Sequence, residues 1–441
     1  MKSKISKILR IAILLPALLS GLTSCIYDKY DDLSDGSSFQ GVPYVVLRLS
    51  SISNPSANSY YNTEKIKSVR VVMLSGDTLQ VNELYKFTGE HAQGFSRLFT
   101  YNTTFHEKDF YIVGNEESIG SFSYTEKTSG NTVTGNDITQ LLDSYTVGEQ
   151  SVENGKALRG VLESLNFDPE FPKEAVTTKD IYLPYSSYYS GIKVGKDYDY
   201  TRNPLQMYLV PVATKFYFNF INNRPSNVDL TNVEIGMFND RNFLMASLEG
   251  EETTKTIEGT EYYWIDWLAK ISELSHKYPE YGGNLNFNNL YGWINGYNMP
   301  AKSETRPRQF LSEPVVIKAA DVDKNNVEDG QYKVIEPGRF SMGPFYMPES
   351  WCEYKYFDSL LQQDITIQQY TLTLGIHDQS TEATKDPVFK EIPIDNLKAL
   401  FRNTYVIITV TLNGGDLEIY AEKADWNKHT SKGYVVDTNP N

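Results

Sequence analysis

The residues able to do acid-base or metal chemistry are present but do not converge. The five histidines, His91, His106, His276, His377 and His429, are scattered, with no HExxH and no paired spacing on one helix face, so the sequence assembles no zinc site. Asp321-Val322-Asp323-Lys324-Asn325 opens like a calcium loop. Asn326, however, stands where the turn glycine belongs and Tyr332 where the bidentate glutamate belongs, so the ligand set is broken. No GxSxG, GxxxxGK or dinucleotide fingerprint occurs. Among 56 acidic residues a glycosidase pair could be nominated anywhere, and nothing singles one out. The expectation is a chain without metal, cofactor or catalytic set. One aromatic block, Tyr262-Tyr263-Trp264-Ile265-Asp266-Trp267, could stack on a sugar or host ligand, which makes Trp264 and Trp267 candidate adhesive residues. Their helical spacing with Leu268, Ile271 and Leu274 favours burial in a core instead.

The thiols are more informative. Residues 1–24 carry Lys2, Lys4, Lys7 and Arg10, then a short apolar run from Ile11 to Leu19, and they end in Leu22-Thr23-Ser24 before Cys25. A basic head, an apolar stretch too short to span a bilayer and small residues at a break are the parts of a secretion signal. The ending resembles a bacterial lipobox, in which the cysteine takes a diacylglycerol and becomes the first residue of the mature protein. The plainer alternative is an ordinary signal followed by an incidental cysteine. With Cys25 acylated, Cys352 has no partner in the chain, which excludes a disulfide framework. No histidine lies near Cys352 in sequence, so it reads as a packed thiol.

The formal net charge is −15, and losing a basic signal makes the mature chain more acidic still. Such a surface repels phosphate backbones, so nucleic acid is excluded as a partner. Residues 25–41, with Asp28, Asp31, Asp32 and Asp35 among serines and glycines, form an acidic tether. It resembles the acid-rich segment that routes many Bacteroidetes lipoproteins to the outer face of the cell.

The rest of the chain is written in the vocabulary of sheets, with 32 Tyr, 21 Phe and alternating runs rich in Val, Ile and Thr. Strands are expected over 42–50, over 66–74 and 78–81 as a hairpin, over 109–113 and over 214–220. Further strands are expected over 314–317, 332–335, 365–376, 404–412 and 417–421, the last two flanking Asn413-Gly414-Gly415-Asp416. Residues 137–165 soften into short helical pieces, with Leu158, Val161, Leu162 and Leu165 on one face. The Tyr-, Ser- and Gly-rich stretch 182–204 reads as a domain junction or a long crossing strand, and 261–276 as a helix opening an insertion that runs to about 308.

Several segments together resemble one family. They are Ile66 to Leu74 with Gly76; Asp109-Phe110-Tyr111-Ile112-Val113-Gly114-Asn115-Glu116; Leu209-Val210-Pro211-Val212-Ala213-Thr214-Lys215; Phe345-Tyr346-Met347-Pro348-Glu349; and Arg402-Asn403-Thr404-Tyr405-Val406-Ile407-Ile408, with the hairpin running on to Asp425-Trp426. In this order, behind a lipobox, they are similar to the Bacteroidetes fimbrillins, the FimA-like pilus subunits. Pro211 and Thr214 and the insertion depart from that pattern, which leaves the type of subunit open.

The resemblance implies a mainly β chain of two transthyretin-like β-sandwich domains in series, 42–182 and 183–441, with a helix-containing insertion in the second. It also implies assembly by strand exchange. The precursor reaches the outer membrane on the lipid of Cys25, an Arg-specific surface protease removes the first strand, and a neighbouring subunit fills the groove. In this sequence the candidate cut lies between Arg48 and Leu49, Arg48 being the only basic residue of the first strand. The alternative is a solvent-facing arginine that is never cut. The candidate donor is Tyr434-Val435-Val436, although so short a stretch ending in Asn439-Pro440-Asn441 reads more readily as a terminal tail. The partners implied are other fimbrial subunits, the outer membrane and a host or glycan ligand. Two rival roles, a surface glycan-binding lipoprotein and a fimbrial anchor, would each keep the lipid and the first strand.

Overall fold

The computed structural model describes residues 44–51, 62–87, 95–168 without 105, 182–194, 200, 203–238, 241–248, 254–257, 260–263 and 297–298. It also describes 306–424, with breaks at 329–330, 352–353, 359–361, 368–369, 380–385, 395–396, 398, 401 and 415. The chain divides into two compact units, 1–42 and 43–441, and the first, with Cys25, the signal and most of the tether, lies outside the described residues.

The second unit is mainly β. Alternation sets its first strand, β1 (Tyr44–Ser51), in which Val45, Leu47 and Leu49 point into the core at 0 % exposure while Arg48 is exposed. The strands β2 (Ser68–Ser75) and β3 (Thr78–Lys86) form the expected hairpin, turning at Gly76 with φ +56°. Then follow β4 (Ser96–Asn102), β5 (His106–Gly114), β6 (Phe122–Thr125), β7 (Thr132–Gly135) and β8 (Asn166–Phe167). The stretch read as a junction or crossing strand contains β9 (Tyr185–Val194), and β10 (Leu205–Pro211) follows it.

Seven of these strands share one sheet, in the order β3-β2-β5-β9-β10-β1-β4. The joint between β9 and β10 is narrow, with Val210 opposite Ser186 and Pro211 opposite Tyr185. The sheet folds over at this joint, so Val69, Val71, Phe110 and Ile112 from one part share a core with Val45, Leu47, Leu49 and Phe99 from the other. The opposite face of β2 and β5, carrying Val72, Leu74, Tyr111 and Val113, is covered by the helices Ile138–Asp143 and Ser151–Ser164. Leu158, Val161, Leu162 and Leu165 make that cover, as their spacing requires.

The helix Ser151–Ser164 approaches the β2–β3 turn so closely that a Cβ on Gly155 would lie 2.0 Å from the Asp77 carbonyl oxygen. Gly155→Ala, which would strengthen an isolated helix by about 1 kcal/mol, is expected here to destabilise the fold by about 1–3 kcal/mol. Urea unfolding of the variant checks the sign.

After Pro211 sheet membership changes. β11 (Thr214–Asn222) is the second strand of a four-stranded sheet, between Gly338–Met347 and Thr404–Asn413, with Asp416–Ala424 beyond. Facing it, β12 (Val228–Phe238) pairs with Arg306–Gln309, Val315–Ile317 and Tyr370–Asp378, and the last of these pairs with Val388–Ile394. Phe216, Phe218 and Phe220 meet Leu230, Val233, Leu372 and Leu374 between the sheets, and Phe310 links Phe218 to Phe345 with centroid distances of 5.0 Å on both sides.

Two expectations change. Residues 365–376 are two strands, Gln363–Ile367 and Tyr370–Asp378, which pair in different sheets, with the polar pair Gln368-Gln369 between them in sequence. The expected helix at 261–276 begins instead within a strand, Thr260–Tyr263, paired with Thr254–Ile257. Residues 264–296, with Trp264 and Trp267, lie outside the described residues. The calcium-like segment is a strand, Asp321–Glu328, hairpinned to Gln331–Glu336. No group of side chains that could hold a metal ion occurs among the described residues. No helix among them is long and apolar enough to cross a membrane.

Candidate functional site

The groove around β1 is where the sequence-expected site and the fold meet. β1 runs parallel to β10 on one side, from Leu47 opposite Leu205 to Ser51 opposite Leu209. On the other side it runs antiparallel to β4, from Tyr44 opposite Asn102 to Ser50 opposite Ser96. It is therefore an interior strand whose two neighbours are otherwise not joined. Adjacent strands lie about 4.8 Å apart, so losing β1 would leave a slot roughly 10 Å wide between β10 and β4. The rows of N–H and C=O groups that had paired with β1 would be unpaired on both walls. The floor of that slot would be the apolar residues beneath Val45, Leu47 and Leu49.

Arg48 sits at mid-strand, opposite Gln206 on β10 and Leu98 on β4, with its side chain exposed. The Gln206 Nε2 donates to the Arg48 carbonyl oxygen at 3.2 Å. Leu49, the other side of the candidate cut, is fully buried. A protease needs an extended, unpaired segment, so the Arg48–Leu49 bond becomes accessible once β1 has peeled from its neighbours. Of the other candidates, Cys25, Trp264, Trp267, Tyr434, Val435 and Val436 lie outside the described residues.

The residues quoted in the sequence resemblance prove to be those that hold the scaffold. Asn115, at φ +52° and fully buried, accepts from the amides of Lys67 at 2.7 Å and Ser68 at 3.3 Å. Its amide group donates to the carbonyls of Lys65 at 2.7 Å and Leu183 at 2.8 Å, which ties the end of β5 to two loops. Asparagine tolerates the left-handed conformation while offering these four bonds. Next to it, Glu116 takes a two-pronged contact from Arg70 at 2.7 and 2.8 Å.

Two further ion pairs join the two sheet systems. Lys215 of β11 donates to Glu64 at 2.7 Å, Tyr346 donates to the same oxygen at 2.7 Å, and the Lys215 ammonium lies 4.9 Å from the centre of the Tyr405 ring. Glu64 closes the short turn Asn62–Glu64 ahead of β2, so the chain soon after β1 is fastened to the second sheet system. Arg402 is the other hub. It pairs with Glu349 and donates to Ser186 Oγ of β9 and the Leu244 carbonyl at 2.9 Å each, and to the Phe243 carbonyl at 2.8 Å. Asn403, next in the chain, donates its amide to the Ala213 carbonyl at 2.8 Å.

Sequence reasoning missed Lys108 of β5. It has 0 % exposure and donates to Ser75 Oγ at 2.8 Å and Thr104 Oγ1 at 3.0 Å. Lying between Glu107 and Asp109, it reads in sequence as one of a run of solvated charges. The cue against that reading was its place two residues before Phe110 on the inward face of a strand.

No protein-family profile matches this chain, and no curated protein matches it. Solved structures do. The tip fimbrial protein Mfa3 from Porphyromonas gingivalis, with a C-terminal truncation, is 13 % identical with a TM-score of 0.43, covering 88 % of this chain and 100 % of its own. A fimbrilin, FimA, from Porphyromonas gingivalis W83 is 9 % identical with a TM-score of 0.40, covering 87 % and 97 %. A fimbrial assembly protein from Parabacteroides distasonis is 10 % identical with a TM-score of 0.36, covering 87 % and 96 %. At these identities the similarity is one of fold and carries nothing about individual residues.

Proposed function

We propose that this chain is a structural, non-enzymatic subunit of a cell-surface fimbria, delivered as a lipoprotein and assembled by loss of β1 and its replacement by a strand from a neighbour. The observation that carries the reading is the setting of β1. It is an interior strand with four fully buried apolar residues, Val45, Val46, Leu47 and Leu49, and its one basic residue is turned to solvent. A strand removed from such a position leaves two unpaired walls and an apolar floor, and one incoming strand repairs both defects. Repeated head to tail, that repair makes an open fibre.

In this reading Cys25 carries the acyl chains, and the cut after Arg48 releases both the lipid and residues 44–48 of β1. Leu49 to Ser51 keep their places beside β10 and mark where the new strand must end. The donor is Tyr434-Val435-Val436, and Trp264 and Trp267 serve an adhesive role suited to a tip or accessory position. An Arg-specific surface protease acts after β1 has peeled away.

The test is the N-terminal sequence and mass of the protein recovered from the cell surface, compared with Arg48→Ala. The expected mature start is Leu49, lost in the variant together with incorporation into fibres. A start at acylated Cys25 in both proteins would sink strand exchange by this route and leave an anchor or a glycan-binding lipoprotein.

A further inference from the structure

Among the described residues four basic side chains are essentially without solvent exposure, Arg70, Lys108, Lys215 and Arg402. Three are ion-paired, with Glu116, Glu64 and Glu349 respectively. Lys108 has no carboxylate among the described residues and is held by two hydroxyls alone. Burial lowers its pKa, with no neighbouring charge opposing the effect.

Its position gives that isolation a meaning. Lys108 stands opposite Ile192 in the β5–β9 register and two residues before Phe110, and Ser75 is two residues beyond Met73 on β2. Ile192, Phe110 and Met73 all belong to the core between the two parts of the folded sheet, so the ammonium points into that space. The hydroxyl it meets on the far side belongs to Thr104, two residues past Asn102, and Asn102 is the register partner of Tyr44. Lys108 therefore marks the end of the groove at which β1 begins.

We infer that Lys108 selects the strand that replaces β1: the groove takes an extended segment of another subunit that brings a carboxylate to the Lys108 ammonium, just before its first apolar anchor. The inference rests on the strand-exchange reading above. A buried ammonium served by neutral hydroxyls is poorly compensated, and a carboxylate would give it charge-assisted hydrogen bonds in a low-dielectric site. The same contact would set register. A slip of two residues would carry the carboxylate over the apolar core beneath Val45 and Leu47.

The test uses the full chain after an arginine-specific protease has released its N-terminal segment, with the release confirmed by mass. Two N-acetylated peptides are titrated against it, each carrying the sequence of the released residues 44–48, one preceded by Asp and the other by Asn. The Asp peptide is expected to bind roughly tenfold more tightly or better. In Lys108→Met the ratio should fall to about one, and in Lys108→Arg most of it should return, because a cation is restored. Equal affinities for the unsubstituted protein would overturn the inference and leave strand exchange standing. Binding of neither peptide would overturn both.

Discussion

Replacing Glu349 with alanine is expected to cost about 3–5 kcal/mol of folding stability, because it leaves the Arg402 guanidinium buried and without its counter-charge. Arg402 is 0 % exposed, and both its guanidinium and its backbone amide donate to Glu349. Its hydrogen bonds to Ser186 Oγ and to the carbonyls of Phe243 and Leu244 supply no negative charge. A domain of this kind has about 5–15 kcal/mol in total, so the loss would be visible as a large drop in the urea midpoint. Glu349→Gln keeps shape and some hydrogen bonding and should lose less. The double variant Glu349→Leu with Arg402→Met should recover part of the deficit, since an apolar pair avoids the desolvation cost of both ions. A midpoint for Glu349→Ala within the range of ordinary surface substitutions would show that Arg402 finds another counter-charge. Because Ser186 belongs to the seven-stranded sheet and Glu349 follows a strand of the second system, the loss should also loosen the coupling between the two.

The second large effect concerns β1 itself. Leu47→Ala removes a fully buried anchor at the centre of the strand, at an expected cost of about 2–5 kcal/mol. Cleavage at Arg48 requires β1 to peel, so the change should raise the population of the peeled form and the rate at which an arginine-specific protease frees the N-terminal segment. Even 2 kcal/mol corresponds to a rise of roughly thirtyfold where opening is fast relative to cleavage. Leu209→Ala, in the neighbouring β10, provides the comparison, because its side chain is equally buried but stays with the body when β1 leaves. Similar global destabilisation with faster release in Leu47→Ala is the expected pattern. Unchanged release despite lower stability would mean that cleavage does not pass through peeling of β1.

Much of this architecture is legible in the sequence because alternation has a direct physical cause. In β1, β11 and Thr404–Asn413 every second residue faces a core, and the run Phe216, Phe218, Phe220 could belong to nothing but a half-buried strand. The failures fall where local pattern and tertiary context part. Residues 365–376 read as one strand because Ile365, Ile367, Leu372, Leu374 and Ile376 recur along it, although the polar pair Gln368-Gln369 separates the two strands that form. Arg48 could be found because it is the one charge in an apolar strand. Lys215 alternates with Phe216, Phe218 and Phe220 and so lies on the other face of β11, and it is buried because Glu64, Tyr346 and Tyr405 converge on it from distant parts of the chain. Asn115, Glu349 and Arg402 stood out by resemblance, and the reason appears once their hydrogen bonds are traced across 50 to 216 residues of sequence.

The pairing of β1 with β10 also orders events in time. Arg48 and Gln206, neighbours in the sheet, are 158 residues apart in the chain. During synthesis the N-terminal strand emerges early, yet one of its two walls does not exist until residue 211 has followed it. The β2–β3 hairpin, by contrast, closes through a turn of two residues, Gly76 and Asp77, and can form as soon as it is exposed. Closing so long a loop is entropically costly, so β1 should dock late, as the element that completes the sheet instead of the one that nucleates it. Pulse-labelled hydrogen exchange during refolding should find the amides of β2 and β5 protected before those of β1. A strand that joins last has the fewest later elements built upon it, and a fold made in that order carries its own line of disassembly.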